Sequence, residues 1–254
     1  MSKLEVCALA SGSNGNCYYI GNDQEAILVD VGLSARQLQL RLQEKGIAEH
    51  KIKALLITHE HCDHARGARV LSKRLHIPVY ITKKTFLALS KANRPEHVVW
   101  FDPDQSFSVG EFEVHAFSKS HDAADACSFR VSYAGKHVGV MTDIGEACDQ
   151  VKSHFSACHA VFLESNYDED MLMSGPYPYY LKQRVSSAVG HLSNLQAYEL
   201  ANEFAGENLR TIFLSHLSGE NNTPEIADAV FDPLRSRFQV ELTSRHQSTA
   251  IFEL

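Results

Sequence analysis

The stretch Ile57-Thr58-His59-Glu60-His61-Cys62-Asp63-His64-Ala65-Arg66-Gly67 places four lone-pair donors, His59, His61, Asp63 and His64, within one short turn. The apolar run at 54–57 before it reads as a buried strand. Residues 65–76 after it carry Ala68, Val70, Leu71 and Leu75 at roughly helical spacing, so a helix is expected there. The cluster therefore sits on a strand-to-helix turn, and loops held by a rigid scaffold are where chemistry is usually carried. His59 and His61 lie two apart, so an extended segment points both rings the same way. Asp63 and His64 turn at the helix start and reach a second position, so one short loop can feed two cations. The rival reading is a zinc-protease helix of the form His-Glu-x-x-His. It fails because Asp63 stands where the second His belongs and because a strand lies too close.

On the N-terminal side of this loop, strands are expected over 4–9, 17–20 and 26–30, with Gly21-Asn22-Asp23 as a hairpin turn. Between the first two, Ser11-Gly12-Ser13-Asn14-Gly15-Asn16 is a turn whose glycines let backbone N–H groups approach an anion. It lacks the Lys of a P-loop. Ser34 and Gln37 form a capping box for a helix running to Lys45. On the C-terminal side, strands are expected over 77–81, 98–101, 106–109, 112–117, 127–131, 138–141, 160–163, 211–214, 239–243 and 249–252. Helices are expected over 83–91 and 147–153. A second capping box, Ser193 with Gln196, opens a helix over 194–204, and Thr223-Pro224 opens another. Residues 171–184, rich in Tyr and Pro, read as a loop. Strands with interleaved helices are the α/β class, and with no linker or low-complexity segment the chain reads as one domain over 1–254.

Composition is that of an ordinary globular protein, 44% hydrophobic and 22% charged over 254 residues. No apolar run reaches membrane-span length, and residues 1–7 lack the apolar core of a signal peptide. A cytoplasmic location is expected. The six cysteines contain no CxxC pair and read as thiols, with Cys62 a spacer in the metal loop. A net charge of −7 argues against nonspecific nucleic-acid binding by the whole surface, although bound cations would reverse the field locally.

The His-x-His-x-Asp-His run resembles the signature of the metallo-β-lactamase superfamily. The resemblance implies a four-layer αββα sandwich, two mixed β-sheets flanked by helices, and two divalent metal ions. Metal one would take His59, His61 and His121, and metal two Asp63, His64 and His216, with Asp143 bridging. Asp30, at a strand end, would brace the loop by hydrogen bonds. Asp122 would orient His121 by accepting its other ring N–H. Asp143 has a second structural reading as the N-cap of the helix that follows it. Imidazoles with carboxylates suit Zn, and Mn and Fe also fit. Two metals about 3.5–4 Å apart can activate a hydroxide and favour hydrolysis, above all of phosphodiesters.

Gly190-His191-Leu192-Ser193 and Leu214-Ser215-His216-Leu217-Ser218 are similar to a paired pattern in the tRNase Z branch. That pattern implies that Glu164 orients His191 as a general acid beside the Asp63-containing centre. The match extends further to the YycJ/WalJ group. Its carriers are residues 10–16, the metal loop, Ser120-His121-Asp122-Ala123, Glu164-Ser165-Asn166, the Tyr-Pro loop with Leu181-Lys182-Gln183-Arg184, and Gly190-His191-Leu192-Ser193-Asn194. That group implies a metal-dependent 5′-to-3′ exonuclease acting on DNA. Ser13, Asn14, Asn166, Tyr177, Lys182 and Arg184 are the expected substrate contacts, with Arg66 a further phosphate candidate and Tyr177 and Tyr180 stacking on bases. There is no room for the β-CASP insertion of RNase J-type enzymes. Two alternatives stay open, a small-molecule (cyclic) phosphodiesterase or other ester hydrolase of this fold, and a metal-binding adaptor without turnover. An oligomer is open, C2 dimers being the default.

Overall fold

The structure, a computed structural model, describes residues 3–254. Six strands build most of the first sheet: β1 (Glu5–Ala10), β2 (Cys17–Gly21), β3 (Ala26–Val29), β4 (Ile52–Leu56), β5 (Val79–Ile81) and β6 (Val98–Trp100). The second sheet takes β7 (Gln105–Val109), β8 (Phe112–Ser118), β9 (Cys127–Tyr133), β10 (Lys136–Met141), β11 (Ala160–Glu164), β12 (Thr211–Ser215) and β13 (Gln239–Leu242). A short β14 (Phe252–Glu253) returns to pair with β1, so the first sheet runs β14-β1-β2-β3-β4-β5-β6 and the second β13-β12-β11-β10-β9-β8-β7. Each sheet is mixed. Strands β3 to β6 are parallel in one, and β10 to β13 in the other.

Helices cover the outer faces: α1 (Ala35–Glu44), α2 (Cys62–Ala65), α3 (Ala68–Leu75), α4 (Lys83–Ala88), α5 (Asp149–Ser156), α6 (Glu169–Ser174), α7 (Tyr179–Val185), α8 (Asn194–Phe204) and α9 (Pro224–Phe231). The layers follow from strands that are apolar on both faces, as buried parallel strands must be. In β3, Ile27 and Val29 face the other sheet while Ala26 and Leu28 face α1 and α3. In β11, Phe162 faces inward while Val161 and Leu163 pack toward α5 and α8. The result is the four-layer αββα sandwich of two mixed sheets. Both capping boxes form, Ser34 with Gln37 and Ser193 with Gln196, and Thr223 caps α9.

Several expectations need correction. The helix expected over 65–76 is split by Gly67 into α2 and α3, because the chain must first turn Asp63 and His64 inward. The segment expected as a loop over 171–184 holds α6 and α7, each too short to show a full apolar period. Asp143 is not a helix N-cap; α5 starts after Cys148. The last expected strand shrinks to Phe252–Glu253.

The helix α5 docks through His154, which is buried and stacked on Phe117 at 4.1 Å. Its Nδ1 has no hydrogen-bond partner. Burial, with Arg130 and His115 nearby, pushes its pKa down to about 4, while Asp104 pulls weakly the other way. Folded His154 thus stays neutral where an unfolded His, near 6.5, takes up a proton. Stability is expected to fall as pH drops from about 6.5 to about 4. In His154→Phe, a plot of Tm against pH should be flatter over that window. An unchanged slope would place the acid sensitivity elsewhere.

Candidate metal centre

The carboxyl ends of the parallel strands in both sheets point to one crevice, the usual location of sites in α/β sheets. Asp30 follows β3, His59 follows β4, Asp143 follows β10, Glu164 ends β11 and His216 follows β12. Asp30, Asp143 and His216 each take a left-handed backbone, φ 59°, 57° and 57°. These turns swing the side chains off the strand direction and back toward one another. Gly32 lets the metal loop close on the β3 end, since a Cβ there would overlap the Asp63 carbonyl.

The ligand-type atoms of His59, His61 and His121 all lie within 4.8 Å of one another, as do those of Asp63, His64 and His216. Asp143 stands between the two trios. Its Oδ2 is 3.2 Å from His64 Nε2, and its Oδ1 is 3.6 Å from His216 Nε2 and 3.8 Å from His121 Nε2. Most rings are held through Nδ1, which leaves Nε2 for the centre. His59 Nδ1 meets Thr58 Oγ1 at 2.9 Å, and His64 Nδ1 meets Asp30 Oδ2 at 2.7 Å. His121 Nδ1 donates to the Gly190 carbonyl at 3.0 Å, and His216 Nδ1 donates to Glu164 Oε1 at 2.9 Å. Asp30 also accepts from the Thr58 N–H and hydroxyl, so one carboxylate holds the start and end of the loop. This fixing of ring and tautomer by an outer partner is typical of metal-binding histidines.

The donor set fits divalent cations. His121 Nε2 and Asp143 Oδ2 are buried and lack any hydrogen-bond partner, which is expensive unless something else satisfies them. Burial pushes His59 well below its ordinary pKa and His121 to about 4, so both rings are neutral and keep their lone pairs. Burial would raise Asp63 and Asp143, but the neighbouring histidines hold both carboxylates below the usual range. Conversely, burial would lower His216, but Asp143, Asp63 and Glu164 lift it to about 10. The cluster thus carries an excess of negative potential that attracts positive charge. Imidazole and carboxylate together suit Zn, Mn and Fe alike.

Beside the trios, His191 Nδ1 donates to Glu164 Oε1 at 2.9 Å. Glu164 is fully buried and accepts five hydrogen bonds. Oε1 takes His191, His216 and the Asp143 N–H, and Oε2 takes the Ile144 and Leu192 N–H groups. Burial raises its pKa, but His191 and His216 outweigh this and bring it down to about 2. One oxygen therefore orients both a candidate ligand and a ring that faces the cleft. That cleft, about 170 Å³, is lined by His61, Asp63, Asp143, His191 and His216, with Ser13 and Arg184 at its edge.

Other expected site residues are placed elsewhere. Asp122 does not orient His121. It pairs with Arg184 at 2.9 Å, because the Gly190 carbonyl already occupies His121 Nδ1. Asn166 is buried and donates to the His216 carbonyl at 2.7 Å, so it shapes the turn there. Lys182 donates to the Met173 carbonyl across the α6–α7 hairpin. Tyr177 does not line the cleft, and Asn14 offers its carbonyl to Arg66. The N–H groups of Gly12 and Gly15 are satisfied inside their own loop, by Asn16 Oδ1 and the Gly12 carbonyl. Cys62 is exposed and stands outside both trios.

Three small polar residues take partners at the cluster that the sequence did not specify. Asn16 Nδ2 lies 3.3 Å from Asp63 Oδ2 and 3.1 Å from His64 Nε2. Ser11 Oγ accepts from the His216 N–H at 2.7 Å, tying the β1 end to the β12 end. Thr58 links Asp30 to His59. Only the fold brings these small polar residues to the cluster.

Comparison with known proteins bears on the same residues. A family described as the Beta-lactamase superfamily domain matches residues 25–216. The exodeoxyribonuclease YycJ of Bacillus anthracis is 34% identical over 233 residues, covering 88% of this chain and 86% of that protein. The exodeoxyribonuclease WalJ of Streptococcus pneumoniae is 33% identical over 226 residues, 86% and 83% of the two chains. Among solved structures, the metallo-beta-lactamase fold protein YhfI from Bacillus subtilis aligns over 99% of this chain and 100% of that one. Its TM-score is 0.75 at 17% identity, a likeness of fold.

Proposed function

Because this chain belongs to the beta-lactamase superfamily, and within it to the group of YycJ and WalJ, we propose that it is a 5′-to-3′ exonuclease acting on DNA. It is a metal-dependent hydrolase, which removes the adaptor alternative. The observation that carries the finer reading is the Glu164–His191 pair next to two ligand trios that share Asp143. A purely metal-binding scaffold needs no such pair.

In this reading His59, His61 and His121 would hold one ion and Asp63, His64 and His216 a second, with Asp143 placed between the two trios to serve either. Bound divalent metals supply Lewis-acid polarisation of a phosphoryl oxygen and acidify a water toward neutral pKa. Asp63 faces the cleft and orients the attacking water by accepting its hydrogen bond. Glu164 accepts the Nδ1–H of His191, so His191 Nε2 is turned to the cleft and gives its proton to the departing sugar oxygen. Arg184 at the rim binds phosphate. Its pair with Asp122 is exposed on both sides, 56% and 55%, and is therefore weak and easily exchanged. For stacking, Tyr180 and its neighbour Tyr179 on α7, 73% and 68% exposed, present more open rings than Tyr177, and all three lie outside the lining of the cleft itself. We also take the chain as one domain without a β-CASP insertion, because its strands form two sheets around one shared inner core. No helix among the described residues is long and apolar enough to cross a membrane.

The test is hydrolysis of end-labelled single- and double-stranded DNA in Mn or Zn by wild type and His61→Ala. Stepwise loss from the 5′ end, abolished in the variant, supports the proposal. The net charge of −7 and the small cleft favour a second reading, a small-molecule phosphodiesterase. Turnover of bis(p-nitrophenyl) phosphate with DNA left intact would favour that reading. So would a rate indifferent to salt, since polyanion binding weakens steeply as salt rises.

A further inference from the structure

A second cleft, about 520 Å³, lies on the far side of the Ser11–Ser13 turn from the candidate metal centre. The two share walls residue by residue. Ser13 faces the metal centre and Ser11 the second cleft, while His216 faces the first and Leu217 the second. The partition is thin because Gly12, at φ 143°, threads between the Leu217 carbonyl and Arg245. Its polar lining includes Ser218, Thr223, Thr243, Arg245, His246 and Gln247. In a chain of net charge −7, no carboxylate is found among its described lining residues.

Arg245 is the one Lys or Arg that lines this cleft among the described residues. It is half-buried, and one guanidinium nitrogen, Nη2, donates to the Leu217 carbonyl at 2.8 Å. Among the described residues it forms no ion pair, and no acceptor is found for Nε or Nη1. A cation so placed, with donors left over and no carboxylate beside it, suits the oxygens of a phosphate, which a guanidinium grips with two parallel bonds. Gly219 keeps the guanidinium in place, since a side chain there would run into it.

We infer that this cleft binds the nucleotide next to the one being cleaved, with its phosphate against Arg245. The inference rests on the nuclease reading above. A cleft of about 170 Å³ accommodates a phosphodiester and its immediate surroundings. The neighbour, at about 520 Å³, falls within the size range of small-ligand pockets and suits a nucleotide. A strand lying across the Ser11–Ser13 turn would place consecutive phosphates on its two sides. The active centre would then favour a polymer over an isolated phosphodiester, and the cleft would account for binding of a polyanion by an acidic protein.

The experiment compares kcat/KM on decathymidylate with kcat/KM on thymidine 5′-(p-nitrophenyl phosphate), which has a single phosphodiester. In Arg245→Ala the ratio of the two is expected to fall about ten- to hundredfold, the range of one charged hydrogen-bonding contact. The slope of log kcat/KM against log salt on decathymidylate should flatten by about 0.7. Arg245→Lys should restore the slope and only part of the ratio. Because Arg245 also holds the Leu217 carbonyl, Gln247→Glu serves as the second variant. It is exposed, nearly isosteric, and puts a negative charge in the cleft, so it should lower the same ratio. An unchanged ratio in both variants overturns the inference, as does an equal loss on both substrates in Arg245→Ala with Gln247→Glu like wild type. A wild type that turns over the nucleotide ester and leaves decathymidylate intact overturns the nuclease reading itself and the inference with it. That failure is recognised because it needs no variant.

Discussion

A His191→Ala variant is expected to lose about 10²–10⁴-fold in kcat on DNA, the usual worth of a positioned general acid. The same variant should lose far less on a p-nitrophenyl ester of a nucleotide. The two differ in the leaving group. A sugar alkoxide is too basic to depart without a proton, whereas p-nitrophenolate leaves unaided. His191 is placed for that one step, because its Nδ1 is committed to Glu164 at 2.9 Å and its ring lines the cleft beside Asp143. If His191 only supported the turn at Gly190, both substrates would suffer alike. If it bound a metal, metal content measured by mass spectrometry would drop with the rate. A loss confined to the poor leaving group, with metal content unchanged, is the outcome that identifies proton donation.

Glu164→Gln should strike both stability and activity. Its two oxygens accept five N–H donors, three on Oε1 and two on Oε2. With both imidazoles in the tautomer that leaves Nε2 for the centre, a glutamine NH2 turned either way faces at least two donors and leaves them unpaired. At about 1–3 kcal/mol for each stranded buried donor, the loss is about 2–6 kcal/mol. That is a large part of the roughly 5–15 kcal/mol that holds a domain together. The urea midpoint should shift accordingly, and activity should fall at least as far as in His191→Ala, because His216 loses its orientation together with His191. A glutamine variant as stable as wild type would show that the network tolerates a neutral side chain, and that the five bonds contribute little.

The sandwich was legible because its strands announce themselves. Runs such as Ala160-Val161-Phe162-Leu163 and Ile212-Phe213-Leu214 are apolar at every position, as a strand buried on both faces must be. The order of strands within each sheet was not legible, since nothing local in β14 points to a pairing with β1 nearly 250 residues away. At the site, the residues that arrive on strand ends were read from their motifs. What failed was the assignment of partners. Asp122 stands next to His121 in sequence, but the ring is turned to a carbonyl at Gly190, and sequence proximity gave no hint of that. Asn166 was drawn toward substrate by its motif, whereas its amide closes the backbone at His216. The hairpin of α6 and α7 was missed for a third reason. Proline and tyrosine spacing masks helices of six and seven residues, which have no room for an amphipathic repeat.

The left-handed turns at Asp30, Asp143 and His216 bear on how this protein would respond to laboratory evolution. Asp and His tolerate that conformation better than most side chains, though glycine adopts it most readily. A library screened for heat resistance alone would therefore reward glycine at position 143, where backbone relief is not opposed by a bond such as the one His216 makes to Glu164, and that gain would erase a ligand atom. Such a campaign would need hydrolysis as a second criterion from its first round, because at Asp143 stability and chemistry compete for one backbone turn.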